Sequence, residues 1–361
     1  IFVVNKNADR ILNHRSYKSM MDIKETIDLA IISVPADSVL KTIEDCSKKK
    51  IKDILIVTSG FAEIGNTKLE EQLKMIIQKN KMRMIGPNCL GILDVHSRMD
   101  SLFLPRYRLK RPEAGGISFV CQSGAIGSTI LDLATDNHHK FAKFVSYGNA
   151  TSIDESDLIE YLGEDESTKV ICLYLEAIRN GKKFLEVAKK VSKKKPIIAL
   201  KGGITEEGSR AALSHTGSMA GSADAYFGVF SQAGIIRANT LQELMNFASI
   251  FEHSLIPKGN RVQVITNGGG YGILSADAIS INHHLDMASL SKKTVHELKK
   301  NLSPLVTISN PFDLVGDANT NNYATALEWC MKDNQIDIIL LIILYQTPLI
   351  TTDIVDIVTE Y

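Results

Sequence analysis

The sequence has no excess of either charge. Lys plus Arg and Asp plus Glu each count 41 among 361 residues, so nothing advertises a nucleic-acid backbone or an acidic membrane as the partner, and a small, locally recognised ligand is expected. Long hydrophobic runs are missing too. The longest, Ile338 to Tyr345, lies between Asp337 and Gln346 and falls far short of the ~20 residues that span a bilayer. The five cysteines (Cys46, Cys89, Cys121, Cys172, Cys330) include no C-x-x-C pair. Four of them lie in or beside apolar runs, as reduced, buried thiols do, so a reducing, cytoplasmic compartment is expected and no metal-ligand set is assigned. The dinucleotide fingerprint G-x-G-x-x-G is also absent. The glycine-rich ITNGGGYGI, Ile265 to Ile273, would need glycine at 273 or 275, where Ile273 and Ser275 stand, and this counts against an NAD-dependent dehydrogenase. No initiator methionine opens the chain. IFVVN reads as an interior strand, and the helical pattern TTDIVDIVTEY closes the chain without a final strand. A fragment truncated at both ends is the expectation.

What is present is an alternation of short apolar runs with amphipathic segments, the mark of an α/β fold with a parallel sheet between helices. Strands are expected at Ile27 to Val34, Asp53 to Thr58, Met82 to Ile85, Gly116 to Cys121, Phe141 to Val145, Val170 to Leu175, Pro196 to Leu200, Arg261 to Thr266 and Ile336 to Leu344. Helices are expected at Ala36 to Lys48, Gly181 to Ser192, Thr240 to Glu252 and Asn321 to Lys332, with Thr240 and Glu243 forming a capping box. Two breaks in the rhythm, LPRYRLKRPEAGG (Leu104 to Gly116) and HSLIPKGN (His253 to Asn260), divide the chain into domains at 1–110, 111–257 and 258–361. Ligands of open α/β sheets gather at the carboxyl ends of strands, so function is sought in the residues that end them.

Three strand-to-helix turns have the size of a phosphate. In VCQSGAIGS, Val120 to Ser128, the pair Ser123 and Gly124 would leave backbone N–H groups free at a positive helix end, although a plain N-cap explains the same pair. SHTGSMAGS, Ser214 to Ser222, adds an imidazole, His215, ahead of a helix expected at Ser218 to Gln232. One ring nitrogen of a neutral histidine can attack phosphorus while the other is held by an acceptor, yet a lone histidine is also a common satisfied polar residue. Such a nucleophile needs a carboxylate to fix its tautomer. Glu176 ends the strand KVICLYLE and fits that role, or else caps the loop AIRNG. ITNGGGYGI is the third turn, and its glycines permit close approach of backbone to a ligand.

Taken in order, IGPNCLG (Ile85 to Gly91), CQSGAIG (Cys121 to Gly127), FVSYGNATSIDESD (Phe144 to Asp157), LYLEAIRNG (Leu173 to Gly181), SHTGSMAG (Ser214 to Gly221), ITNGGGYG (Ile265 to Gly272) and NPFDLVGDA (Asn310 to Ala318) resemble the α part of ADP-forming acyl-CoA synthetases, in the succinyl-CoA synthetase superfamily. The resemblance covers the whole chain. It implies a CoA-binding Rossmann-like domain followed by two flavodoxin-like ligase domains. The reaction it implies converts acyl-CoA, ADP and phosphate to acid, CoA and ATP through an acyl phosphate and a phosphohistidine.

By motif match, His215 is the implied phosphorylated residue and Glu176 the carboxylate that steadies it. Ser123, Gly124, Thr216 and Gly217 would bind phosphate, with Gln346 and Thr347 on a second phosphate-facing loop, and Asn267 and Gly268 would meet the acyl group. CoA would lie over Val34, Pro35, Thr58, Ser59, Gly60 and Asn88, and beside Asn5 and Lys6. There the family's V-N-P-K reads VNKN, Val4 to Asn7. The glycine-rich turn that precedes this strand in the family is not in the sequence, so weak CoA binding by the chain alone is expected. No nucleotide-binding part is visible either. The resemblance implies an ATP-grasp β subunit or fused downstream region to handle ADP, ATP and Mg²⁺, and an oligomer. The alternative on the same fold is a CoA-sensing regulatory module fused to a protein acetyltransferase, but a nucleophile beside an anion cradle is more than sensing needs.

Overall fold

The first apolar run, β1 (Val3–Val4), does not join the sheet that follows it. It pairs in parallel with β3 (His14–Tyr17), which forms a hairpin with β2 (Arg10–Ile11), and these three strands make a sheet of their own. β4 (Leu29–Ile32), β5 (Asp53–Ile56) and β6 (Arg83–Ile85) form a second, parallel sheet in that order. Helices α1 (Ala36–Lys48) and α2 (Thr67–Lys79) cross between its strands. α1 buries Val39, Ile43 and Cys46, the i, i+4, i+7 stripe of a helix lying on a sheet. Residues 1–210 and 222–360 are described in this computed structural model, and they divide into two compact units, Ile1–Ser254 and Leu255–Tyr361.

The larger sheet of the first unit has seven strands. They are β7 (Gly91–Asp94), β8 (Met99–Asp100), β9 (Ala114–Cys121), β10 (Phe141–Ser146), β11 (Val170–Leu175), β12 (Ile197–Lys201) and β13 (Ile236–Ala238), in the order β13-β12-β11-β9-β10-β7-β8. β9 to β13 are mutually parallel, and β9, β11 and β12 are largely buried on both faces, which is why they read as apolar runs. Phe119, Phe141 and Phe144 stack on one face with Leu244 and Met245, while Val120, Leu173 and Phe184 fill the other. The helices are α3 (Gly124–Asp136), α4 (Glu155–Glu164), α5 (Gly181–Val191), α6 (Ala223–Ala233) and α7 (Leu241–His253).

A ribbon from the first segment joins the larger sheet, and the expected capping box needs correction. β7 and β8 lie within the 1–110 segment expected as the first domain, yet β7 pairs antiparallel with β10, Leu93 opposite Phe144, so this ribbon extends the larger sheet. Its backbone groups needed a partner, and the open edge of β10 supplied one. At α7, Thr240 accepts the N–H of Glu243 as expected, but the Glu243 carboxylate takes the N–H of Asn239 and so closes its turn one residue early. The helix expected at Ser218 to Gln232 is seen from Ala223, capped by Ser222; its earlier part lies outside the described residues.

The second unit centres on β14 (Arg261–Thr266). β15 (Asp286–Met287), β16 (Phe312–Asp313) and β17 (Ile338–Ile342) all pair with it in parallel. Its helices are α8 (Gly269–Ile281), α9 (Lys292–Asn301), α10 (Thr320–Met331) and α11 (Ile354–Glu360). Ile265, Leu298, Phe312, Tyr323 and Leu327 make its main core.

Candidate active site

β9 carries eight residues in sheet geometry and stops at Cys121; Gln122 and Ser123 make the turn, and α3 begins at Gly124. Ser123 is extended, and its hydroxyl accepts the N–H of Ile126 at 3.4 Å, so the N-cap reading of this pair is realised. The remaining first-turn N–H groups have no partner within the helix, which keeps the turn electropositive. Gln122 does something the sequence does not reveal. Its side-chain oxygen accepts the N–H groups of Glu176 at 2.8 Å and Ala177 at 3.0 Å, latching the exit of β11 to the turn after β9. Glu176 is thereby placed beside the start of α3, and both it and Ser123 are buried.

The next strand adds a buried cation. Lys201, at the end of β12, donates from Nζ to the carbonyl of Glu176 at 2.8 Å and to that of Gly202, and lies 4.5 Å from the ring centre of Tyr226 on α6. Burial holds its pKa below the usual lysine value, against the opposing pull of the Glu176 carboxylate. Tyr226 accepts the N–H of Ile178 at 3.2 Å, so α6 is tied to the same loop. Tyr174 is pushed well above the normal phenol range by burial and by Glu176, and so remains a neutral phenol. Only glycine fits beneath it: a Cβ at Gly202 would come within 2.7 Å of its hydroxyl. His215, Thr216 and Gly217 lie outside the described residues.

The residues expected to meet CoA gather at the carboxyl ends of β4, β5 and β6, where three loops are laced together. Thr58 donates its hydroxyl to the Val34 carbonyl at 2.7 Å, and the N–H of Asn88 bonds to the Thr58 carbonyl at 2.9 Å. Pro35 stands at the N-cap position of α1, and Ser59 lies between the two bonded loops. Gly60 is less open than expected: its N–H is taken by Glu63 at 2.6 Å and its carbonyl by Asn66 at 3.2 Å. Asn5 closes a turn on the N–H groups of Asn7 and Ala8, and it follows β1, so Asn5 and Lys6 belong to the separate small sheet.

In the second unit Asn267 follows β14. Its oxygen accepts from Leu344 N at 2.7 Å and from the Tyr323 hydroxyl at 2.8 Å, and its nitrogen donates to Thr347 Oγ1 at 3.0 Å and the Leu344 carbonyl at 3.3 Å. The Tyr323 hydroxyl has a single proton and also lies 2.9 Å from the Ile342 carbonyl, so that proton is shared between two acceptors. The Asn267 side chain thus helps to hold the 344–347 loop, where Gln346 is exposed. Gly268 caps α8 without a side chain, and its N–H goes to Thr266 Oγ1 at 3.0 Å.

Three family models tile the chain: a CoA binding domain over residues 1–94, the flavodoxin domain like that of succinyl-CoA ligase over 114–251, and a Ligase-CoA domain over 262–359. The α subunit of ADP-forming acetate–CoA ligase II from Pyrococcus furiosus is 40% identical over 349 residues, 96% of this chain and 75% of that one. The chain belongs to the ADP-forming acetate–CoA ligase family. Within the family, the Methanocaldococcus jannaschii enzyme is 45% identical over 318 residues, 88% of this chain, which spans 44% of that relative's length. The acetyl-coenzyme A synthetase 1 structure from Ca. Korarchaeum cryptofilum, solved with phosphate and ADP, superposes with a TM-score of 0.92 at 35% identity and covers 99% of this chain and 77% of its own. The Rossmann-like and flavodoxin-like architecture expected from the sequence is therefore that of the family.

For a member of this family, sequence reasoning picked the residues that end strands and missed those that hold strand ends in place. Gln122, Lys201, Tyr226, Glu63, Glu70 and Asn149 all act across the fold. Gln122 alone left a local signal, as a polar residue directly after six buried ones.

Proposed function

We propose that the chain is the α region of an NDP-forming acyl-CoA synthetase and that His215 carries the phosphoryl group in transit. In the acyl-phosphate-forming step, an oxygen of phosphate attacks the thioester carbonyl, the C–S bond breaks and CoA leaves as thiolate. A ring nitrogen of His215 then attacks phosphorus, the P–O bond to the acyl group breaks and the acid leaves as carboxylate. The phosphohistidine passes its group to ADP on an ATP-grasp part, which would bring the nucleotide and Mg²⁺. Among the described residues no group of three or more His, Cys, Asp or Glu side chains could hold a metal ion.

The observation that carries this reading is the latch of Gln122 on the backbone of Glu176, which ties the strand exit bearing a buried carboxylate to the turn that opens α3. Phosphoryl transfer needs positioning and charge stabilisation more than covalent help, and a helix start with a fixed carboxylate supplies both. Glu176 would hold the imidazole tautomer and steady its positive charge, while Ser123, Gly124, Thr216 and Gly217 receive phosphate oxygens, as Gln346 and Thr347 do on the second loop. Thr58, Ser59, Val34, Pro35, Gly60 and Asn88 would receive CoA. The bonded state of Gly60 leaves its bare Cα as the approach. A domain division at 110 and 257, an oligomeric assembly and a cytoplasmic setting belong to the same proposal. A CoA-sensing module fused to an acetyltransferase finds no support among the relatives above, which are named as ligases.

The test uses the full-length enzyme. Incubation with labelled ATP and Mg²⁺ is expected to give an acid-labile, base-stable phosphoprotein, and His215→Ala to abolish it. Persistent labelling of that variant rejects the assignment.

A further inference from the structure

One buried polar node, built on the loop between β10 and α4, joins three other loops of the first unit. Asn149 sits in the loop between β10 and α4 and is 8% exposed; Glu70, on α2, is 6% exposed. The two hydrogens of the Asn149 amide go to two carboxylates, Glu63 Oε2 at 2.7 Å and Glu70 Oε2 at 2.9 Å, and its oxygen accepts from Asn88 Nδ2 at 3.3 Å. Glu63 in turn holds the N–H groups of Gly60 and Phe61. Glu70 holds the N–H of Ala62 at 3.1 Å and pairs with Arg179 Nη2 at 3.2 Å. Backbone contacts fix the geometry further. The N–H of Asn149 bonds to the Pro87 carbonyl at 3.0 Å, and a Cβ at Gly148, whose φ is +58°, would overlap that carbonyl.

Two of these loops carry Gly60 and Asn88, and the third, through Arg179, is the one that begins at Glu176. Two carboxylates sharing one amide is a demanding arrangement. Without the amide and the guanidinium, like charges would face each other in a buried setting. We propose that Asn149 and Glu70 are positioning residues that set the CoA loops of the β4–β6 sheet against the strand exit bearing Glu176. This rests on the ligase reading. The step that breaks the thioester needs CoA and the β9–α3 site in register, so it depends on the node; phosphorylation of His215 from ATP does not.

The full-length enzyme separates these. Asn149→Leu removes the bridging amide at similar volume, and Glu70→Gln keeps shape while removing charge. Each is expected to raise KM for CoA about tenfold with little change in kcat, and to leave the rate of ATP-dependent labelling without CoA within twofold of wild type. In a cycle with Arg179→Met, the Glu70→Gln effect on KM should be less than additive. An unchanged KM for CoA overturns the proposal, as does an equal fall in labelling and CoA-dependent turnover, which marks general damage. If Asn149→Leu does not fold, Glu70→Gln and Arg179→Met decide alone. Absence of labelling in wild type would instead overturn the ligase reading.

Discussion

Both units place a carboxamide directly after their central parallel strand, and both use it on the exit of the strand alongside. Gln122 follows β9 and accepts the N–H groups of Glu176 and Ala177 after β11; Asn267 follows β14 and accepts the N–H of Leu344 after β17. In each case a helix starts at once, α3 capped by Ser123 and α8 by Gly268. The latch is thus a feature of the architecture, and the residue it delivers differs: a carboxylate in one unit, Leu344 in the other. Buried charge follows the same division. The first unit buries Glu70, Glu155, Glu176, Glu252, Lys143 and Lys201, whereas among the described residues of the second the only buried charged side chain is Asp333. The repeated geometry supplies a strand-end platform, and on the proposed function the chemistry would come from the ionisable side chains set on one copy of it.

The sharpest way to break this comparison is to remove the charge and keep the latch. Glu176→Gln leaves the backbone N–H of residue 176 on Gln122, so the strand exit stays in place. We predict that transfer of phosphate through His215 in the full-length enzyme falls about a thousandfold, as expected when a carboxylate no longer orients an imidazole. Leu344→Met at the matching position should change the rate less than twofold. A Glu176→Gln enzyme within tenfold of wild type would mean that the delivered residue is not what distinguishes the two units.

The next effect is on stability, and its sign should differ between units. Glu155, at the start of α4, is 1% exposed, and neither carboxylate oxygen has a partner. Burial pushes its pKa up to about 7 from an ordinary 4.5, with its own backbone N–H only partly opposing. Between these values the folded chain holds a proton that the unfolded chain has released, so stability falls as pH rises through that window and then levels off. The full loss is roughly 3 kcal/mol. Unfolding of the first unit, followed by labelling of the buried Cys121 and Cys172 thiols, should therefore lose less between pH 5 and 8 in Glu155→Gln than in wild type. His139, held down chiefly by burial, titrates in the same range with opposite sign; it is common to both proteins and cancels in their difference. In the second unit, burial pushes Asp333 up, but the N–H groups of Ser291 and Gln335 hold it below its usual range. Its contribution is present above pH 4 and is lost only as pH falls further. Parallel pH profiles for wild type and Glu155→Gln would remove the contrast.

These contrasts mark what could be read from the sequence. Residues buried on both faces of a parallel strand are mostly apolar, so β9, β11 and β14 were legible as runs despite buried Ser118 and Gln263, and Glu176 stood out as a charge directly after one. The helix at Ala36–Lys48 was legible from its period and its flanking Pro35. The ribbon β7–β8 was not, because four residues reading GILD acquire strand character only from the edge of β10. Gln122 meets a residue 54 positions on, and Glu70 meets Arg179 109 positions on. Such contacts exist only once strand order and register are decided, and no local pattern encodes them. Asn267 shows the converse. Its place in a glycine-rich turn marks it locally as a candidate for ligand contact, and the fold adds bonds to Leu344 and Thr347 that the sequence does not show.

The two latches themselves should come apart differently when cut. Asn267→Ala removes the bonds to Leu344 and Thr347 at a site that is 3% exposed and leaves the N–H of Leu344 without its acceptor, whereas the Tyr323 hydroxyl still has the Ile342 carbonyl at 2.9 Å. A loss of about 2.5 kcal/mol is expected, since orphaned buried groups cost about 1 to 3 kcal/mol each and partial relaxation recovers some of that. Trp329, the single tryptophan, lies on α10 against the same core and reports this unit alone. Gln122→Ala orphans the N–H groups of Glu176 and Ala177 beside a loop that Lys201 and Tyr226 still hold, so about 1.5 kcal/mol is expected from thiol labelling. Its larger consequence is kinetic. With the strand exit released, Glu176 is no longer held against α3, and phosphoryl transfer should slow about tenfold, whereas Asn267→Ala, assayed where both proteins remain folded, should leave the His215 labelling rate within threefold. Equal kinetic losses from both cuts would mean that the second latch serves the chemistry as directly as the first.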